Sequence, residues 1–92
     1  MVNSEFSNER EVIETYCAVE LLILDDVGAG GLTDFERRSL LEVIERRLDD
    51  MRPTIVTSNW TIQEISERMD ERIASRLASF VQLTIEGVDR RL

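Results

Sequence analysis

Leu21-Leu22-Ile23-Leu24 is an unbroken apolar run that stops at Asp25-Asp26. A run without polar alternation fits an interior strand of a parallel sheet, where helices cover both faces. A second β-rich run, PTIVTS at Pro53–Ser58, begins with a proline, and the first residue of a strand is where proline is tolerated. A third, FVQLTI at Phe80–Ile85, largely alternates. The expected strands are therefore about 20–25, 53–58 and 80–85.

Helical patterns fill the intervals. Val12, Ile13, Tyr16 and Cys17 recur at helical spacing between Glu9 and Ala18, while residues 1–8 are polar and expected to fray. Thr33-Asp34-Phe35-Glu36 is a capping box, in which threonine and glutamate satisfy each other's free N–H groups at a helix start. Leu40, Leu41, Ile44, Leu48 and Met51 then form an apolar stripe. Asp34/Arg38 and Glu42/Arg46 stand four apart on the outer face, in the favourable acid-first order. That helix must end before Pro53. Thr61-Ile62-Gln63-Glu64 is a second capping box, leading a helix with Ile62, Ile65 and Met69 inward. Asp70 to Ser79 predicts another helix, with Ile73, Ala74 and Leu77 inward. Strands separated by helices predict an α/β layered fold with a mostly parallel sheet.

Ligands of such sheets bind at the carboxyl ends of the strands. Asp25, Asp26 and Asn59 each fall at the end of an expected strand, which makes them a constellation. A strand ending in two carboxylates is the pattern of a nucleotide-hydrolysing site, where one carboxylate serves Mg²⁺ and the next orients water. The competing reading is a turn in which aspartates bond local backbone N–H groups. A phosphorelay receiver also pairs acidic residues at a strand end, but it needs a phospho-acceptor aspartate at another strand end and a later lysine.

Composition removes other chemistries. The 92 residues contain no histidine, and all eleven basic residues are arginine. Imidazole catalysis, lysine nucleophiles and a phosphate-loop lysine are thereby excluded. Cys17 is the single cysteine, so it forms no internal disulfide and reads as a small buried hydrophobe. A net charge of -8 is unsuited to non-specific nucleic-acid binding, which needs clustered positive charge. No apolar run reaches the ~18 residues of a membrane span. The start has no signal-peptide pattern, so the cytoplasm is the expected location. Gly28, Gly30 and Gly31 match neither G-x-x-x-x-G-K-[ST] nor G-x-G-x-x-G, and read as a flexible loop. Arg72 and Arg76 stand four apart in ERIASRL, and Arg68 extends their face if the helix is continuous. That face is either solvated and partly neutralised by Glu64, Glu67 and Glu71, or it meets an anionic partner. Arginine suits planar, bidentate contact with phosphate.

Taken in order, LLILDDVG, LTDFERRSLLEVIERRLDDMRPTIVTSN and ERIASRL resemble the C-terminal half of the AAA+ ATPase core in the DnaC/DnaI helicase loaders and the IstB transposition ATPases. The resemblance covers roughly residues 9–91. It implies a partial P-loop NTPase three-layer α/β fold over 9–92, running from Walker B to the sensor 2 region, after a polar segment at 1–8. It also implies roles. Asp25 would be the Walker B aspartate near Mg²⁺, and Asp26 would stand where many AAA+ proteins carry the catalytic glutamate. Asn59 would be sensor 1. Arg76 would be the arginine finger that reaches a neighbouring subunit's nucleotide. Arg72 belongs to the same box, and Arg91 or Arg90 would match sensor 2, without the aromatic residue that usually precedes it.

The family places its P-loop upstream of Walker B, and the chain begins after that point. ATP and Mg²⁺ are the cofactors implied by the resemblance, and the expectation is that this chain alone binds neither. The implied partners are a replicative helicase, a transposase, or a P-loop-bearing AAA+ subunit, with single-stranded DNA in the intact family. The family sheet has its P-loop strand between the strands matching 53–58 and 80–85. Strand edges left open there are association sites, so self-association is a further expectation.

Overall fold

The computed structural model describes the backbone of residues 4–81 and the side chains of residues 9–81. The element order is α1 (Ser4–Ala18), β1 (Leu22–Leu24), α2 (Asp34–Asp49), β2 (Thr54–Val56), α3 (Ile62–Arg68) and α4 (Glu71–Leu77). The two strands pair in parallel, with Leu22 opposite Thr54, Ile23 opposite Ile55 and Leu24 opposite Val56. The βαβ order expected from the sequence is present, with α2 as the crossover.

Both capping boxes form. Thr33 accepts from the Glu36 N–H while the Glu36 side chain accepts from the Thr33 N–H, and Thr61 and Glu64 repeat the arrangement on α3. The end of α2 is a Schellman turn: the Arg52 N–H reaches the Arg47 carbonyl at 2.9 Å and the Met51 N–H reaches Leu48 at 3.0 Å. Met51 occupies the left-handed position there, at φ 57°. Its side chain is therefore 86% exposed and lies outside the apolar stripe in which the sequence pattern places it.

The core has two parts joined at Leu24. Leu41 and Ile44 of α2 pack with Ile65, Ile73, Ala74 and Leu77 of α3 and α4, and Leu24, Val56, Trp60 and Phe80 close around them. Ile13 and Cys17 of α1 pack with Leu22 and Val43. Losing a residue such as Ile44 from this core costs about 2–5 kcal/mol.

Several expectations need correction. α1 begins at Ser4 rather than Glu9, and of its apolar residues Ile13 and Cys17 are buried while Val12 and Tyr16 are exposed. β1 is buried on one face only among the described residues. Ile23 is 58% exposed and its partner Ile55 49%, because the described helices pack on the side of Leu22 and Leu24. The third strand is not seen: Phe80 lies in a turn against the core and Val81 is outside any strand, while residues 82–85 lie outside the described residues. Asp34 pairs with Arg37, not Arg38, whereas Glu42 and Arg46 pair as expected at 3.1 Å.

One buried charge organises the fold, and it sits on the apolar stripe of α2, three residues after Ile44. Arg47 is 1% exposed. Its guanidinium donates to the carbonyls of Tyr16 (2.7 Å), Val19 (2.7 Å), Glu20 (3.2 Å) and Pro53 (2.7 Å) and to the Thr54 hydroxyl (2.8 Å). A helix end leaves its last carbonyls without partners. α1 carries no basic residue in its last turn, so Arg47 from α2 supplies the donors, helped by Arg52 at the Ala18 carbonyl (3.0 Å). Burial is the largest influence on Arg47 and pulls its pKa down. The dense set of carbonyl acceptors is what makes so buried a guanidinium tolerable.

Candidate functional site

Beyond their last paired residues, β1 and β2 stay joined. The Thr57 N–H donates to the Leu24 carbonyl (2.9 Å), and the Val27 N–H donates to the Thr57 carbonyl (2.8 Å). The Thr57 hydroxyl donates to Asp25 Oδ1 at 2.5 Å and accepts from the Asp26 N–H at 2.7 Å. The Ser58 hydroxyl donates to the Val27 carbonyl (2.6 Å) and accepts from the Trp60 N–H (3.0 Å). The segment after each strand is thus stitched to the segment after the other.

Asp25 and Asp26 stand exposed on this platform. Asp26 adopts φ 62°, a left-handed conformation uncommon for any residue but glycine, although aspartate is among the side chains that tolerate it. Such strain persists only where the surroundings over-determine it, and it clusters at functional sites. Here the surroundings are Thr57, which takes the Asp26 N–H, and Gly28 just beyond. Gly28 has φ 102°, and a Cβ at this position would lie 2.8 Å from Trp60 Cε3. The loop glycine is therefore filled by an aromatic ring and does not cradle a phosphate. The Trp60 ring also carries the Arg68 guanidinium, 5.6 Å from its centroid.

The residues singled out in the sequence are brought together only in part. Asp25 and Asp26 share one end of the sheet with Asn59, which is exposed two residues beyond Thr57. Asp25 is bonded across the strands by Thr57. Arg72 and Arg76 lie on α4, and among the described residues no hydrogen bond or ion pair joins them to Asp25 or Asp26. Arg72 pairs with Asp70 at 3.2 Å, and Arg76 with Glu45 of α2 at 2.7 Å. The Asp70 carboxylate also caps α4, and the Arg72 hydrogen bond before all else holds its pKa below the ordinary value. The cap at Asp70 separates α3 from α4, so the helix is not continuous and Arg68 does not extend the face of Arg72 and Arg76. Arg90 and Arg91 lie outside the described residues.

Thr57, Ser58, Trp60 and Glu45 are the residues the sequence reading passes over. For Thr57 and Ser58 a signal exists: two hydroxyls directly before Asn59, at the end of a β-rich run parallel to one that ends in aspartates. Glu45 carries no comparable signal, because its partner is 31 positions away.

An apolar groove of about 580 Å³ between α1 and α2, lined by Val12, Tyr16, Leu24, Phe35, Leu40 and Val43 with others, includes neither aspartate. Among the described residues no three His, Cys, Asp or Glu side chains converge as a metal cage. No helix among them is long and apolar enough to cross a membrane.

The family model for the IstB-like ATP binding protein matches residues 4–81. The replicative helicase loader DnaC of Escherichia coli strain K12 is 24% identical over 71 residues, which make up 77% of this chain and 29% of the loader. DnaC of Escherichia coli O157:H7 and of Shigella flexneri match to the same extent. The chain therefore spans less than a third of the length of these curated relatives. No solved structure matches. A strand pair with carboxylates at its carboxyl end, an arginine-bearing helix behind it, and a family match over nearly the whole described chain lead to one assignment: the chain belongs to the IstB-like ATP binding protein family.

Proposed function

We propose that these residues form the Walker B to arginine-finger portion of a DnaC-like or IstB-like AAA+ ATPase, serving helicase loading or transposition, and that they neither bind nor hydrolyse ATP by themselves. The observation that carries the reading is the end of the parallel strand pair, where Asp25 and Asp26 stand exposed and fixed in a chain of this family.

The donor set suits Mg²⁺ in part. Magnesium takes oxygen ligands, keeps several waters, and is commonly held by one or two carboxylates plus substrate phosphates. Two exposed aspartates, with no third protein ligand among the described residues, match that pattern. In this reading Asp25 is the metal ligand, Asp26 orients the attacking water and Asn59 reads the terminal phosphate. When bound, Mg²⁺ supplies charge neutralisation on the phosphate chain. Among the described residues the phosphates have no cradle. The chain has no lysine, and the one glycine loop beside the aspartates is packed against Trp60 at Gly28. A P-loop from elsewhere must complete the site, and a replicative helicase or a transposase is the partner of the completed assembly.

A second reading is an interaction module that offers Arg76 to the nucleotide of a P-loop-bearing AAA+ subunit. The Glu45–Arg76 pair favours it. Both side chains are roughly 40% exposed, at 37% and 42%. Exposed pairs are worth only about 0.2–1 kcal/mol, so a polyphosphate can displace Glu45 at little cost. In this reading Arg72, with its own carboxylate partner, lines the same anion.

Steady-state ATPase assays test both readings. The chain alone is expected to show no hydrolysis. Mixed with a P-loop-bearing subunit of the family, it is expected to raise that subunit's rate, and Arg76→Ala is expected to remove the increase. Hydrolysis by the 92 residues alone overturns the first reading. An increase that survives Arg76→Ala overturns the second.

A further inference from the structure

We infer that Thr57 is the positioning residue of the Asp25–Asp26 pair: its hydroxyl aims the Asp25 carboxylate and holds the left-handed backbone of Asp26, so that a cation contact at Asp25 depends on it. This inference rests on the reading of Asp25 as a metal ligand.

The direction of each hydrogen bond is fixed by the atoms involved. A hydroxyl has one proton and two lone pairs. The Asp26 N–H, 2.7 Å away, can only donate, so it occupies a lone pair of Thr57 Oγ1. The hydroxyl proton is then free for Asp25 Oδ1 at 2.5 Å, within the short range of O–H bonds to a carboxylate. Thr57 is itself immobilised, with its N–H on the Leu24 carbonyl and its carbonyl on the Val27 N–H. All four backbone and side-chain hydrogen bonds of Thr57 therefore go to residues 24–27. A carboxylate bonded through Oδ1 to a fixed donor has its plane set, and with it the place of its other oxygen. Groups behind a metal ligand act in this manner, and removing one typically costs about 10–100-fold in metal affinity.

The chain contains its own reference. Asp49-Asp50 is a second exposed pair of adjacent aspartates, at the end of α2. Its described charge partner is Arg52, 3.9 Å from Asp50, and none of its described bonds comes from a hydroxyl. Adjacent aspartates thus occur twice, and only Asp25–Asp26 is aimed by a hydroxyl.

The test uses the ¹⁵N-labelled 92-residue chain with Mn²⁺ as a paramagnetic probe, which reports transient contact and requires no retained ion, reading the broadening of backbone amides 25–27 against those of 49 and 50. In the wild-type chain, 25–27 are expected to broaden more than the reference pair, and Asp25→Asn to remove the excess. Thr57→Val is expected to cut the excess about tenfold at the same Mn²⁺ concentration, and Thr57→Ser, which keeps the hydroxyl, to restore it. Should valine perturb amides outside 24–28 and 54–60, Thr57→Ala is read instead. An excess that disappears in Asp25→Asn but is unchanged in the Thr57 variant overturns the role of Thr57 and leaves Asp25 as ligand. An excess absent from the wild type, or retained in Asp25→Asn, overturns the reading of Asp25 and this inference with it.

Discussion

The two ends of the β1–β2 pair are built on opposite principles. At the amino end a single buried arginine gathers carbonyls from α1, from the approach to β1 and from Pro53. At the carboxyl end the Thr57 hydroxyl holds two exposed aspartates, Asp25 by its carboxylate and Asp26 by its backbone N–H, and a glycine sits under a tryptophan ring. Charge at the amino end is spent on the fold, since every guanidinium bond goes to backbone or to Thr54. Charge at the carboxyl end stays in water, where a ligand can reach it. Residues of both kinds are charged, close to strand ends and adjacent to a like-charged neighbour in sequence, so burial and partners distinguish their roles and residue type does not.

The largest expected effect breaks the amino end. Arg47→Ala leaves several buried carbonyls without a donor, each worth about 1–3 kcal/mol, against a total stability of about 5–15 kcal/mol for a small domain. A loss of about 3 kcal/mol or more is expected, read as the shift of the urea midpoint. A loss below about 1 kcal/mol, the range of exposed charges, erases the contrast between the two ends.

Next in size is Gly28→Ala at the carboxyl end. The added Cβ meets Trp60 at 2.8 Å and must adopt φ 102°. The expected cost is about 1–3 kcal/mol, typical of overpacking with backbone strain. Trp60 is the chain's only tryptophan, so its emission reports the displacement directly. Unchanged emission means that the loop gives way instead of the ring, and that the carboxyl end is softer than its contacts imply.

The smallest expected effect has the opposite sign. Asp26→Gly relieves the left-handed strain at φ 62° and is expected to raise stability by up to about 1 kcal/mol while removing a site carboxylate. Thermal denaturation measures it. A fall in stability makes the Asp26 side chain structural and narrows the contrast between the two ends.

Much of this was legible in the chain itself because it depends on neighbours in sequence. Both capping boxes require only a threonine and a glutamate three residues apart, and both formed. The apolar stripes of α2, α3 and α4 depend on the helical period, and Leu41, Ile44, Ile65, Ile73 and Leu77 are buried accordingly. The placement of Asp25, Asp26 and Asn59 at strand ends follows from where the β-rich runs stop. The breaks in these patterns are also local. Met51 keeps helical spacing with Ile44 and Leu48, but the Schellman turn takes it out of the helix. Arg47 sits three residues after Ile44, on the apolar stripe, where an arginine is the anomaly that could have been noticed.

What the sequence by itself determined is the succession of elements, their caps, and which chemical groups stand at the ends of the strands. Only the tertiary structure decided which of those groups meet. Thr57 reaches Asp25 across 32 positions, and Arg76 reaches Glu45 across 31. Arg47 reaches Tyr16 from equally far away. Helix and strand periods are set by short-range backbone sterics and hydrogen bonding, so a single sequence carries them. A partner some 30 positions distant is fixed by how α2 packs between the strands and α4, and that packing is a property of the whole core.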